Sequence, residues 1–147
     1  MIKLRVSTRV SSEFNDVKRR FNRALLEKLN PPFPPARIVL YEGELPGDRV
    51  WIELNFIFFR QVWKSIITTN EVFESSWMFK DEGVQLPFFL KSWSHTHRIE
   101  AHQQGGCVIS DELAFESAWW LPNFLARALM IALMYYRKPL YKRFLGQ

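Results

Sequence analysis

The chain has 147 residues, of which 48% are apolar, 24% charged and 16% aromatic, with a single cysteine. That size predicts one domain over residues 1–147 with core enough to fold unaided; the composition excludes a disordered chain, and a lone Cys107 excludes an internal disulfide framework and suits a reducing compartment. The formal charge of +5 is segregated, with +6 over residues 1–37, −6 over 38–117 and +5 over 118–147, and no base-stacking motif lies among the cations, so no nucleic-acid partner is expected.

Residues 2–10 alternate, with Ile2, Leu4, Val6 and Val10 on one face and Lys3, Arg5 and Arg9 on the other, as in a half-buried strand. The same stretch has no continuous apolar run of the kind a secretory leader needs, so a cytoplasmic location is expected. Ser11-Ser12 offers a helix N-cap, with Glu13 and Asp16 in the first turn. Phe14, Val17, Phe21, Leu25 and Leu29 follow at helical spacing, with Lys18, Arg19, Arg20 and Arg23 on the opposite face. Pro31-Pro32-Phe33-Pro34-Pro35 ends this helical segment as a stiff connector.

From there to about residue 117 the signal is strand after strand: Arg37 to Tyr41, Val50 to Phe58, Val62 to Thr69, Ser76 to Asp81, Ser92 to Ala101 and Cys107 to Phe115. Leu121 to Phe144 reads as one long helix that Pro139 kinks or ends. Its most lipid-like part, Trp119 to Tyr136, is interrupted by Pro122, Asn123 and Arg127, which leaves a run too short to cross a bilayer and predicts a core helix. Ala128 to Met134 is apolar on every side and should be covered all round, by the chain itself, a ligand, a partner or lipid.

This order predicts an α+β helix-grip: a curved antiparallel sheet of about six to seven strands wrapped around the C-terminal helix, with a short N-terminal helical segment after strand 1. A curved sheet and a straight helix do not fill each other's space, so a cavity is expected between them. Its predicted lining is Leu54, Phe56, Phe58, Trp93, His95, His97, Ile109, Asp111, Leu125, Leu129 and Met130.

Chemistry concentrates in Trp93-Ser94-His95-Thr96-His97. On a strand, Trp93, His95, His97 and Ile99 share one face, and Cys107, Ile109, Asp111, Leu113 and Phe115 share a face of the next strand. For the two apolar faces to meet, the hairpin loop must hold an odd number of residues around Gly105-Gly106, and a three-residue loop places Asp111 opposite His97 or Ile99. Three readings stay open. The pair is a buried hydrogen bond that satisfies two core groups. Or it lines a pocket and orients the polar end of an apolar ligand, with proton transfer by His97, oriented by Asp111, as the enzymatic special case. Or the histidines bind a metal, which needs a third ligand; Glu53 is on the polar parity and His102 points away from His97, so neither metal nor cofactor is expected. The basic sets Lys18, Arg19, Arg20, Arg23 and Lys142, Arg143 are solvated helix faces, or a contact for an anionic membrane surface.

The element order, with Pro87-Phe88, Trp93-x-His95-x-His97, Asp111 and Tyr136-Arg137, resembles the START-like (SRPBCC) superfamily of polyketide cyclases and dehydratases, lipid-transfer domains and the birch-pollen allergen type, in particular its bacterial cyclase/dehydrase-like or cell-division-inhibitor-like branch. Four residues between Phe88 and Trp93 loosen the usual spacing. The resemblance implies a helix-grip fold with a cavity for a hydrophobic or amphipathic small molecule, lipid or polyketide-like. It leaves carrier and cyclase/dehydratase-type enzyme side by side, because fold alone does not set function.

Overall fold

The computed structural model describes residues 1–146. The elements run β1 (Ile2–Val10), α1 (Phe14–Arg20), α2 (Arg23–Lys28), β2 (Ala36–Tyr41), β3 (Arg49–Asn55), β4 (Arg60–Val72), β5 (Ser76–Gln85), β6 (Leu90–Ala101), β7 (Cys107–Ser117) and α3 (Asn123–Leu145). All seven strands form one antiparallel sheet in the order β1-β7-β6-β5-β4-β3-β2. β2 to β7 form a meander joined by hairpins, and β1 closes the far edge beside β7. The segment containing α1, α2 and the proline run therefore carries the chain from one edge of the sheet to the other. The sheet curves around α3, which is the predicted helix-grip α+β architecture.

The N-terminal helical segment is broken in two. Phe21 leaves helical geometry (φ −85°, ψ 83°), and Asn22 starts α2 by accepting a hydrogen bond from Leu25 N–H at 3.2 Å on its side chain. An interior break was hidden from a period count because Phe21 and Leu25 stay buried on the same side. Ser11-Ser12 does not cap α1; the N-cap is Glu13. The two serine N–H groups instead donate to Gly146 and Leu145 carbonyls, both at 3.3 Å, which joins the end of α3 to the start of α1. Nor does Pro139 end α3, which runs on to Leu145.

Two apolar clusters pack between sheet and helices. One joins Phe14, Val17, Phe21, Leu25 and Leu29 to Trp77, Phe79, Ile99, Ile109 and the C-terminal half of α3 through Tyr141 and Leu145. The other joins Leu4, Val6, Leu113 and Phe115 to Ala126, Met130 and Met134. The outward flank of α3 is not covered: Phe124, Leu125, Leu129 and Tyr136 are exposed, so the all-round burial expected of Ala128 to Met134 does not occur within the chain. Among the described residues no helix is long and apolar enough to cross a membrane.

The β6–β7 loop has the required odd parity. His102 N–H donates to the Gly106 carbonyl at 2.9 Å, leaving Gln103, Gln104 and Gly105 at the tip. Gly106 has φ 74°, and a Cβ there would stand 2.3 Å from the Val10 carbonyl oxygen, so both backbone sign and space require glycine. This loop sets His97 opposite Asp111 in the sheet register.

Candidate functional site

A cavity of about 180 Å³ lies between the sheet and α3. Its walls are Leu26, Leu29, Pro31 and Pro34 from α2 and the proline run, Val50, Ile52 and Leu54 from β3, Trp63, Ser65 and Ile67 from β4, and Met130, Leu133, Met134 and Arg137 from α3. Asn30, Ala36, Ile38, Tyr41 and Phe89 also line it, and Phe79 and Asp81 from β5 with Trp93, His95 and His97 from β6 form the wall that carries the histidines. The α3 residues fall at positions i, i+3, i+4 and i+7, which is one helical stripe.

Of the predicted lining residues, Leu54, Trp93, His95, His97 and Met130 reach this cavity. Ile109 lies behind it in the core and Asp111 lies behind the histidines and Arg137. Phe56 and Phe58 do not reach it, because β3 ends at Asn55 and the alternation cannot be carried through a turn. Phe56 joins a rim of aromatics with Phe59 and Phe88 at ring distances of 5.1 and 5.3 Å, while Phe58 is 93% exposed. Leu125 and Leu129 sit on the outward flank of α3, one position off the stripe through Ala126, Met130 and Met134.

The polar wall is built on three neighbouring strands. The register sets Asp81 opposite His95, and Phe79 opposite His97, which in turn faces Asp111 on β7. Side chains do not follow the register pairs. His95 Nε2–H donates to Asp111 Oδ1 at 2.8 Å, and His97 Nε2–H donates to Asp81 Oδ2 at 3.1 Å. Both carboxylates can only accept, which places a proton on Nε2 of each ring. The carboxylate that orients His97 is thus Asp81, and the predicted His97–Asp111 pair is corrected: His97 Nδ1 stops 3.9 Å from Asp111 Oδ1. Asp111 is drawn away by α3, where Arg137 Nη1 donates to Oδ1 at 3.2 Å and the Tyr141 hydroxyl to Oδ2 at 3.0 Å. Trp93 Nε1–H donates to Asp81 Oδ1 at 3.2 Å. The two imidazoles stack 3.8 Å apart, and His97 also stacks on Phe79 at 4.4 Å.

Burial, and then the neighbouring His95, lower the His97 pKa to about 4, so the ring is neutral at pH 7. Burial alone would raise Asp81, but the His97 hydrogen bond and the two imidazoles hold it below the usual carboxylate range. Burial likewise opposes the Asp111 charge; the Arg137 guanidinium and the His95 hydrogen bond outweigh it and hold this carboxyl low. Tyr141 is pushed well up by burial and by the Asp111 charge, and remains a hydroxyl. Arg137 and Asp111 neutralise each other, which leaves Asp81 as the uncompensated charge of the wall.

Asp81 and Tyr141 are site residues the sequence reading passed over, and Arg137 entered it only through the resemblance, with no site role. The signals were present: Asp81 shares parity with Trp77 and Phe79 on an apolar strand face, and Arg137 and Tyr141 continue the Met130–Met134 stripe. The basic residues lie at one end of the molecule, where α1 meets the end of α3. Arg19 and Arg20 pair with Asp16, Arg20 also reaches the Phe144 carbonyl, and Arg23 pairs with Glu27 at 2.9 Å. Lys142 and Arg143 are exposed in the last turn of α3.

No protein-family model matches the chain, and no curated protein matches it in sequence. Solved structures do. A START superfamily protein from Mycobacterium smegmatis superposes with a TM-score of 0.73 at 9% identity, over 97% of this chain and 96% of that one. The di-domain aromatase/cyclase of the steffimycin biosynthetic pathway gives a TM-score of 0.68 at 14% identity over 98% of this chain and 50% of that one. Norcoclaurine synthase from Thalictrum flavum, in complex with dopamine and hydroxybenzaldehyde, gives 0.65 at 10% identity, over 97% and 85%. With the curved seven-stranded sheet, the long C-terminal helix and the cavity between them, these likenesses identify the architecture of this chain as the START-like helix-grip fold.

Proposed function

We propose that the chain binds a small, mostly apolar molecule in the cavity between the sheet and α3, with the ligand's polar group set against Asp81, His97 and Arg137. The observation that carries this reading is an apolar and aromatic enclosure in which Asp81, His95, His97 and Arg137 gather on one side, with Asn30, Tyr41 and Ser65 as the other polar side chains of the lining, the usual composition of a small-molecule site. Its size limits the occupant. At about 180 Å³ it only slightly exceeds the roughly 150 Å³ that accommodates benzene in an engineered core. A compact ring system or a short polyketide-like fragment fits better than a two-chain lipid, which requires the cavity to widen.

Binding is favoured over turnover by the state of His97. A general base works best with a pKa near the working pH, and an imidazole lowered to about 4 is a weak base at neutrality. The cyclase/dehydratase reading is carried by the His97–Asp81 pair and requires the substrate to raise that value on binding.

Native mass spectrometry of gently purified protein should find a small co-purified molecule, and an apolar fluorescent dye should bind with 1:1 stoichiometry. Met130→Trp, which fills the cavity from α3, should abolish dye binding while the protein keeps its circular dichroism; Leu133→Trp provides a second filled variant. Equal dye binding by the folded, filled variants would refute a ligand site at this place. His97→Gln should retain dye binding; loss of a measured turnover in that variant would favour the enzyme.

A further inference from the structure

We propose that Asp81, His95 and His97 form a site for a divalent first-row transition metal on the sheet wall of the cavity, with the remaining coordination positions open to the ligand space. The sequence offered two histidines on one strand face and no third ligand. The fold supplies it from the neighbouring strand, where Asp81 is the register partner of His95. One ligand atom from each of the three residues lies within 4.8 Å of the others. Metal–ligand bonds of about 2.0–2.2 Å place tetrahedral donors about 3.3–3.6 Å apart, so side-chain rotations that draw the donors together by up to about 1.5 Å close the set. Two imidazole nitrogens and one carboxylate suit Zn(II), Co(II), Ni(II) or Fe(II), and disfavour Ca(II) and Mg(II), which take oxygen ligands.

What surrounds the three residues also suits a metal. Metal-binding histidines almost always donate the other ring N–H to a carboxylate or carbonyl, which sets the tautomer. His95 already donates Nε2–H to Asp111, a carboxylate 2% exposed and anchored by Arg137 and Tyr141, so the nitrogen left for a metal is Nδ1. His97 is 5% exposed, and its Nδ1 has no hydrogen-bond partner although Asp111 Oδ1 stands 3.9 Å away. If His97 Nε2 joins Asp81 on a metal, the single ring proton moves from Nε2 to Nδ1 and gains Asp111 as its acceptor. The ring stays neutral, no proton is released, and the buried His97 nitrogen without a partner is explained. Trp93 Nε1–H on Oδ1 of Asp81 leaves Oδ2 for the ion. Asp81 is also the charge of this wall that Arg137 does not already neutralise through Asp111.

The test uses untagged, chelator-stripped protein and the metal alone, without any apolar ligand. Co(II) should give a visible d–d spectrum saturating at 1:1, and Zn(II) should displace it. Asp81→Asn, which keeps the side-chain shape, should weaken Zn(II) binding at least tenfold in chelator competition, and Asp111→Asn by about 10–100-fold, as for other residues that orient a ligand; His102→Gln should leave it unchanged. Imidazole nitrogen NMR should show His97 changing from Nε2–H to Nδ1–H on adding Zn(II), while His95 keeps Nε2–H. Absence of saturable 1:1 binding, equal binding by folded Asp81→Asn, or an unchanged His97 tautomer would overturn the metal site. Dye binding by the metal-free protein would persist in each case, which separates this failure from that of the apolar pocket.

Discussion

Removing the Asp111 carboxylate tests the packing of the whole polar wall. The side chain is 2% exposed and takes hydrogen bonds from His95 Nε2 at 2.8 Å, Arg137 Nη1 at 3.2 Å and the Tyr141 hydroxyl at 3.0 Å. In Asp111→Ala the Arg137 guanidinium, whose side chain is only 18% exposed, loses its counter-charge, and two further donors lose their acceptor. Breaking a buried ion pair from one side costs about 3–5 kcal/mol, which for a chain of this length lowers the melting temperature by about 6–20 °C. Urea unfolding followed by tryptophan fluorescence measures the loss, read as a shift in midpoint at constant slope. The double variant Asp111→Leu/Arg137→Met should recover part of it, because both members of the ion pair leave together and only the His95 and Tyr141 donors stay unpaired. A loss below about 1 kcal/mol in Asp111→Ala would refute the claim that Asp111 balances a buried charge. A double variant less stable than the single would show that Arg137 contributes through packing instead.

The inner stripe of α3 is checked by paired truncation: Met130→Ala should cost about 2–3 kcal/mol, the low end for a core residue because it borders a cavity, while Leu129→Ala, at 46% exposure, should stay within about 0.5 kcal/mol; reversed costs in chemical denaturation would mean the helix is rotated. Burial, with the nearby Glu13 charge, pushes the Cys107 thiol up to about 11 from 9.0. A folded pKa raised above the unfolded one gives stability that is complete below pH 9 and lost as pH rises through 11, so wild type should lose about 3 kcal/mol more than Cys107→Ala across that window. In native protein at pH 8, Cys107 should also resist iodoacetamide and react only once unfolded; fast native labelling would contradict its burial.

Local pattern went far along this chain. Alternation located each strand to within a few residues, because a half-buried strand writes its pleat directly into the residue order. Parity did the same for the facing of Trp93, His95 and His97, and the need for an odd loop narrowed the partner of Asp111 to His97 or Ile99, of which the structure takes His97. What it missed were places where the chain leaves a regular element. The β3 alternation was carried past Asn55 onto Phe56 and Phe58, whose apolar character belongs to a turn and an exposed aromatic rim. On α3, a helix apolar on all sides has no strong stripe, so composition could not separate Leu125 and Leu129 from Ala126, Met130 and Met134.

The sequence alone thus determined the layers: a meander, a long closing helix, an expected gap between them, and two histidines facing inward. The partners of those histidines were decided only in three dimensions. Register sets Cα positions, but a buried carboxylate turns toward the strongest donors within reach, and for Asp111 these include Arg137 and Tyr141 on α3, 26 and 30 residues along the chain. Asp111 therefore holds His95, Asp81 from the adjacent strand takes His97, and the buried Nδ1 of His97 is left without a partner. No spacing rule contains that outcome, because it follows from competition among donors brought together by the closure of the helix onto the sheet.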